Sequence, residues 1–163
     1  MLRHGLVCSL LAFSCLASAG LPERFAILVP GFFNMPEKKE GSYFSPTVLA
    51  AVRASGYTPI VVKSLNPVGT FRENGERLSR ELAQIIAAHP NTQFTVIAHS
   101  AGGLYLGYAL TANPKLPIAT VVTISTPYGG AELVELVKWV PGFKTITSAL
   151  DLSSLQEFEG RNM

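Results

Sequence analysis

The 163-residue sequence predicts an α/β fold, a parallel sheet between two layers of helices in a three-layer sandwich. Two observations carry that expectation. Short apolar runs alternate with helical patterns four times, and the connections between them are too long for hairpins, which leaves parallel pairing. The composition, 48% hydrophobic against 15% charged, supplies a buried core and argues against disorder.

The elements follow in order. Phe25 to Val29 is a continuous apolar run, as expected of a strand buried on both faces, and Pro30-Gly31 stops it. "NMPEKKEGSYF" reads as a polar loop. Ser45 and Pro46, as N-cap and first helical residue, open a helix over "TVLAAVRASGY" with a glycine near its end. "TPIVVKSL" (58–65) is a second buried strand and "NPVG" a turn. In "TFRENGERLSRELAQIIAAH", Leu78, Leu82, Ile85 and Ile86 recur at helical spacing with charges between them. "NTQFTVIAHS" is the third strand. "AGGLYLGYALTAN" is a helix ending near Asn113-Pro114, and "PIATVVTIST" is a fourth strand followed by a "PYGGA" turn. From Glu132 the pattern changes to short helices joined by proline and glycine turns, a lid-like helical region over 132–163.

Residues 1–19 stand apart from this domain, which is expected to run from 20 to 163. Arg3 and His4 make a basic start, an apolar run follows, and Ala17-Ser18-Ala19 closes it with small residues. This is the build of a secretory signal peptide cleaved after Ala19, so the expected location is secreted or periplasmic. The other reading is an uncleaved anchor, for which the run is short. Cys8 and Cys15, the two cysteines, both lie in this leader, so the mature chain is expected to hold no thiolate metal site and no disulfide. The net charge of +2 comes from scattered basic residues, with no nucleic-acid footprint.

In open parallel sheets the site lies beyond the carboxyl ends of the strands. Three segments converge there: "PGFF", "HSAGG" and "STPYGG". A serine on a tight strand-to-helix turn needs small residues two places to either side, because larger side chains collide in the bend. Ala98 and Gly102 fill those places around Ser100, with His99 before it and Gly103 behind, giving A-x-S-x-G in place of the commoner G-x-S-x-G. Such a turn aims the N–H of Ala101 at an oxyanion, and the N–H of Phe32, just after Gly31, is the natural second donor. The plainer alternative is that Ser100 caps a helix whose glycines allow close packing.

"ILVPGFFN", "NGERL", "TVIAHSAGGL" and "VVTISTPYGGAE", in that order, resemble the secreted bacterial triacylglycerol lipases and related esterases of the α/β-hydrolase superfamily. The resemblance implies that Ser100 is the nucleophile and that Phe32 and Ala101 are the oxyanion donors. It gives His99 a supporting role and makes Thr126, Pro127, Tyr128 and Gly129 the turn beside the acyl pocket. It implies an ester or lipid substrate, contact with a lipid–water interface, and no cofactor. Where that family's first strand usually ends in His-Gly, this one ends in Pro30-Gly31, which removes a donor but keeps the Phe32 N–H.

The family's order is serine, acid, histidine. Here the histidines are His4, His89 and His99, none after the serine, and aspartate appears once, at Asp151, in a position that reads as a helix cap. A general base must come within about 3 Å of the hydroxyl. His89 ends a helix at the far side of a strand rising about 3.3 Å per residue, roughly 20 Å away. The expectation is therefore the front portion of the fold, with later strands and the triad acid and base missing from this chain, and poor ester turnover by it. Two other readings stay open: a non-catalytic secreted protein that binds lipid or protein, and a hydrolase completed by another chain.

Overall fold

A computed structural model of the chain describes residues 23–32 and 43–128. The leader with its cleavage after Ala19, Gly129, Asp151 and the helical region over 132–163 lie outside the described residues.

Four strands and three helices alternate: β1 (Phe25–Val29), α1 (Pro46–Ala54), β2 (Thr58–Val61), α2 (Phe71–Ala88), β3 (Phe94–His99), α3 (Ala101–Ala112) and β4 (Ile118–Ile124). The strands form one sheet in the order β2-β1-β3-β4, and every pair is parallel. β1 is central and all five of its residues are buried, which is why its sequence is an unbroken apolar run. β3 shows alternation instead. Phe94, Val96 and Ala98 are buried on one face, while Thr95, Ile97 and His99 are half-buried on the other.

The two faces hold two cores. Phe25, Ile27, Val29, Phe94, Val96 and Ala98 pack under α2 and α3 with Leu78, Leu82, Leu104, Tyr105 and Leu106. Leu28 packs with Phe44 and Leu49 on the α1 side, where Val52 and Ile97 join them. α2 and α3 meet where Gly75 receives the ring of Tyr108: a Cβ at Gly75 would lie 2.5 Å from two ring carbons. The helix starts are as the capping residues dictate. The Ser45 side chain accepts from Val48 N–H and Thr70 Oγ1 from Glu73 N–H.

The second strand differs from its sequence expectation. β2 stops at Val61, short of the expected end at Leu65. The reason is a carboxylate: Glu81 of α2 accepts the N–H of Lys63 at 2.9 Å and of Ser64 at 2.8 Å. Val62 N–H still donates to the Leu28 carbonyl at 3.0 Å, and the next donor on the β1 side, that of Ser64, is taken by the helix side chain, although Val62 and Leu65 still reach the core. β2 is also half-exposed, because it pairs only with β1 among the described residues.

Candidate active site at the carboxyl ends of β1 and β3

The strand order fixes where a crevice can form. From β1 the chain crosses by α1 to β2 on one side, and from β3 it crosses by α3 to β4 on the other. The carboxyl ends of β1 and β3 are thus the switch point of the sheet. Gly31 follows the first of these strands and Ser100 the second.

Ser100 has φ 54° and ψ −131°, between the last residue of β3 and the first of α3. For a residue with a Cβ that conformation costs about 1–3 kcal/mol and persists only where the surroundings impose it. The surroundings are visible. The Ser100 N–H donates to the carbonyl of Ile124 at 2.8 Å, fastening the turn to the end of β4, and the Ser100 carbonyl accepts Gly103 N–H at 3.1 Å. The side chain makes no capping bond to its helix, which removes the plainest structural use for a serine here.

Small residues surround it because backbone does. A Cβ on Gly102 would lie 2.6 and 2.7 Å from the carbonyl oxygens of Pro30 and Val29. One on Gly31 would lie 2.8 Å from the Ser100 Cβ. Gly103 is covered by the side chain of Thr126, whose buried hydroxyl has no hydrogen-bond partner among the described residues. The ends of β1, β3 and β4 are therefore packed against one another with Ser100 among them. Ala98 is fully buried beneath. Ala101 opens α3, so its N–H is one of the helix-start donors that have no intrahelical acceptor. Phe32 is half-buried and packs on the core beside the same end. Pro127 is half-buried and Tyr128 exposed.

The described histidines face elsewhere. His89 caps the carboxyl end of α2 and its ring lies 4.2 Å from that of Phe25, the first residue of β1, so it sits at the opposite end of the sheet from Ser100. The ring of His99 turns to the α1 face, where Nδ1 is 2.7 Å from the hydroxyl oxygen of Tyr43. Tyr43 and His99 also close the upper end of an apolar groove of about 900 Å³, whose floor is Leu28, Ile97, Val122 and Ile124 and whose wall is α1. Sequence reasoning missed Tyr43, which stands 56 residues from His99 in a stretch that reads as loop.

No family model matches the chain. Over 84 residues it is 36% identical to a triacylglycerol lipase of Pseudarthrobacter phenanthrenivorans and, over the same length, 36% identical to one of Burkholderia plantarii. The matched stretch is 52% of this chain but 25% and 23% of those proteins, so the chain spans about a quarter of the length of these curated relatives. Among solved structures, a Bacillus licheniformis lipase in propeptide form superposes over 85% of this chain and 32% of its own, with a TM-score of 0.70 at 20% identity. Its mature form gives 0.67 at 19%, over 85% of this chain and 59% of its own. A metagenomic carboxyl esterase gives 0.63 at 18%, over 84% and 45%.

The fold is the α/β-hydrolase fold. Over its matched stretch the chain resembles triacylglycerol lipases. The α/β-hydrolase frame accounts for the parallel order and for the convergence of three strand ends on Ser100.

Proposed function

We propose that the chain carries the nucleophile half of an ester hydrolase acting on acylglycerols or similar carboxylic esters. The observation that carries the reading is Ser100 itself: a non-glycine residue at φ 54° on the strand-to-helix turn, with the backbones of Gly31 and Gly102 packed against its turn. The named lipases and esterases that the chain resembles support the substrate class.

In this reading the Ser100 Oγ attacks the ester carbonyl carbon. The Oγ–C bond forms, the carbonyl oxygen becomes an oxyanion between the Phe32 and Ala101 N–H groups, and the bond to the leaving alcohol breaks as that oxygen takes up the serine proton. Water then releases the acid. The proton transfer needs a base that neither described histidine supplies in its present position.

The test is labelling of the full chain by an alkyl fluorophosphonate, read by intact mass. Addition of one phosphonyl group to the chain, and none to Ser100→Ala, is the expected result. The unaided serine reacts slowly, so turnover of a p-nitrophenyl ester is expected to stay poor. Absence of labelling in the folded chain would overturn the reading. A second reading, a binding protein without catalysis, is favoured by the apolar groove beside Tyr43 and His99, and it would gain from that negative result together with saturable uptake of a fatty acid.

A further inference from the structure

The hydroxyl of Tyr43 lies where the ends of β1 and β3 approach each other. Its oxygen is 2.7 Å from His99 Nδ1, and the two rings stand 59° apart at 5.7 Å, so the contact is a hydrogen bond at the ring edge and not a stack. A Cβ built on Gly31 would lie 2.8 Å from that same hydroxyl, 2.8 Å from the Ser100 Cβ and 3.0 Å from the His99 carbonyl oxygen. Tyr43, Gly31 and the His99-Ser100 pair therefore form one contact cluster, and any side chain at position 31 would break it.

The Tyr43 hydroxyl has one proton to place. Pro30 has no N–H, so the first backbone donor after β1 is that of Gly31. A phenol oxygen accepts as well as donates. Burial raises the pKa of the Tyr43 phenol, with the Gly31 backbone opposing it, and the hydroxyl lies against Gly31. In the arrangement proposed here, the phenol's single proton donates to His99 Nδ1, 2.7 Å away. This places the imidazole proton of neutral His99 on Nε2.

We propose that Tyr43 is a positioning residue for the oxyanion site: its hydroxyl ties Gly31, which precedes the Phe32 donor, to His99, which precedes the nucleophile. The inference rests on the acyl-transfer reading of Ser100. An oxyanion donor acts only when its N–H is 2.7–3.1 Å from the developing charge, and a misplacement of about 1 Å costs on the order of 10²-fold. Phe32 belongs to a different strand end from Ser100. Tyr43 bridges the two with its hydroxyl, which lies between Gly31 and the His99 ring.

The experiment follows saturation kinetics of fluorophosphonate labelling on the full chain, its Tyr43→Phe variant and Ser100→Ala. In this step the Ser100 Oγ–P bond forms, the P–F bond breaks, and fluoride leaves with the hydroxyl proton. Tyr43→Phe keeps the ring and removes the tie. The expected result is a fall of roughly 10- to 100-fold in the limiting labelling rate with the half-saturating concentration unchanged. A structural role alone would move folding stability and leave that split untouched. Labelling of Tyr43→Phe at the parent rate overturns the tie while leaving Ser100 as nucleophile. Absence of labelling in the parent overturns both. A variant that fails to fold does not rescue the proposal, because the parent chain carries its own signature: the ¹⁵N spectrum of His99 should show Nδ1 as an unprotonated acceptor and Nε2 protonated, and the reverse tautomer would refute it.

Discussion

Tyr105 has one of the largest fully buried side chains in the molecule, and its hydroxyl has no hydrogen-bond partner among the described residues. Asn74, the side chain that acts on it, is already engaged. The Asn74 Oδ1 accepts Asn66 N–H at 2.8 Å, and its Nδ2 donates to the carbonyls of Asn66 at 3.0 Å and Gly69 at 3.4 Å. Burial pushes the phenol up to about 12 from an ordinary value of 10.0, with Asn74 opposing it. The unfolded chain thus loses this proton near pH 10, while the folded chain holds it for about two units more. Stability present below pH 10 falls as pH rises toward 12, by up to about 2.7 kcal/mol. Tyr105→Phe should flatten that alkaline limb. Tyr43, raised in the same direction, retains the rest of it. At pH 7 the variant should be neutral or slightly more stable, because an unpartnered buried hydroxyl is removed. Urea unfolding at pH 7 and pH 11 checks both halves. A loss above about 1 kcal/mol at pH 7 would mean the hydroxyl has a partner.

At the scale of an element, α3 holds two kinds of glycine. Gly102 faces the carbonyls of Val29 and Pro30 at distances no Cβ tolerates, and those atoms belong to the central strand and the turn behind it. Gly107, one and a half turns later, has nothing within 4 Å. Alanine at 102 should therefore destabilise the fold by about 1–3 kcal/mol through overpacking. At 107 it should stabilise by roughly 0.5–1 kcal/mol, by removing backbone entropy from the unfolded chain. Thermal melts of the two variants should shift in opposite directions; equal shifts would mean α3 does not press on β1. The contrast also shows what a sequence discloses. Ala98, Gly102 and Gly103 were legible because a tight bend next to a strand admits only small residues, and that rule is local. β1 was legible because burial on both faces writes an unbroken apolar run, whereas β2 and β4 carry apolar runs that stay partly exposed among the described residues. The end of β2 was not, because Glu81 captures its N–H groups from a helix, and a charge in an amphipathic pattern does not say which backbone it serves. Tyr43 was not legible either. Its partners Gly31 and His99 are distant in sequence, and tertiary packing alone unites them. The buried Asn74 was hidden for the same reason, inside a helix whose periodicity marks its apolar and charged residues only.

At the scale of the molecule, the sheet is, among the described residues, covered on one face and open on the other. α2 and α3 cover the first, whereas among the described residues only α1 covers the second, beside the groove. β4 pairs only with β3 among the described residues, and Val121, Val122 and Ile124 are 43%, 43% and 48% exposed. A parallel strand with apolar side chains open on an edge is a template for association. The register says which side chain to charge. Val122 lies opposite Ile97 and lines the groove, while Val121 lies opposite the buried Val96, toward α3. Association through the open face should be suppressed by Val122→Lys and much less by Val121→Lys. Pairing through the strand edge should be suppressed by both, since either charge must then be brought against a second chain. The exposed apolar surface is contiguous with the groove at Val122 and Ile124, so the face is expected to dominate. Light scattering across a concentration series should show the parent chain growing in mean mass, Val121→Lys following it, and Val122→Lys remaining smaller. Equal suppression by both variants would assign the association to the β4 edge.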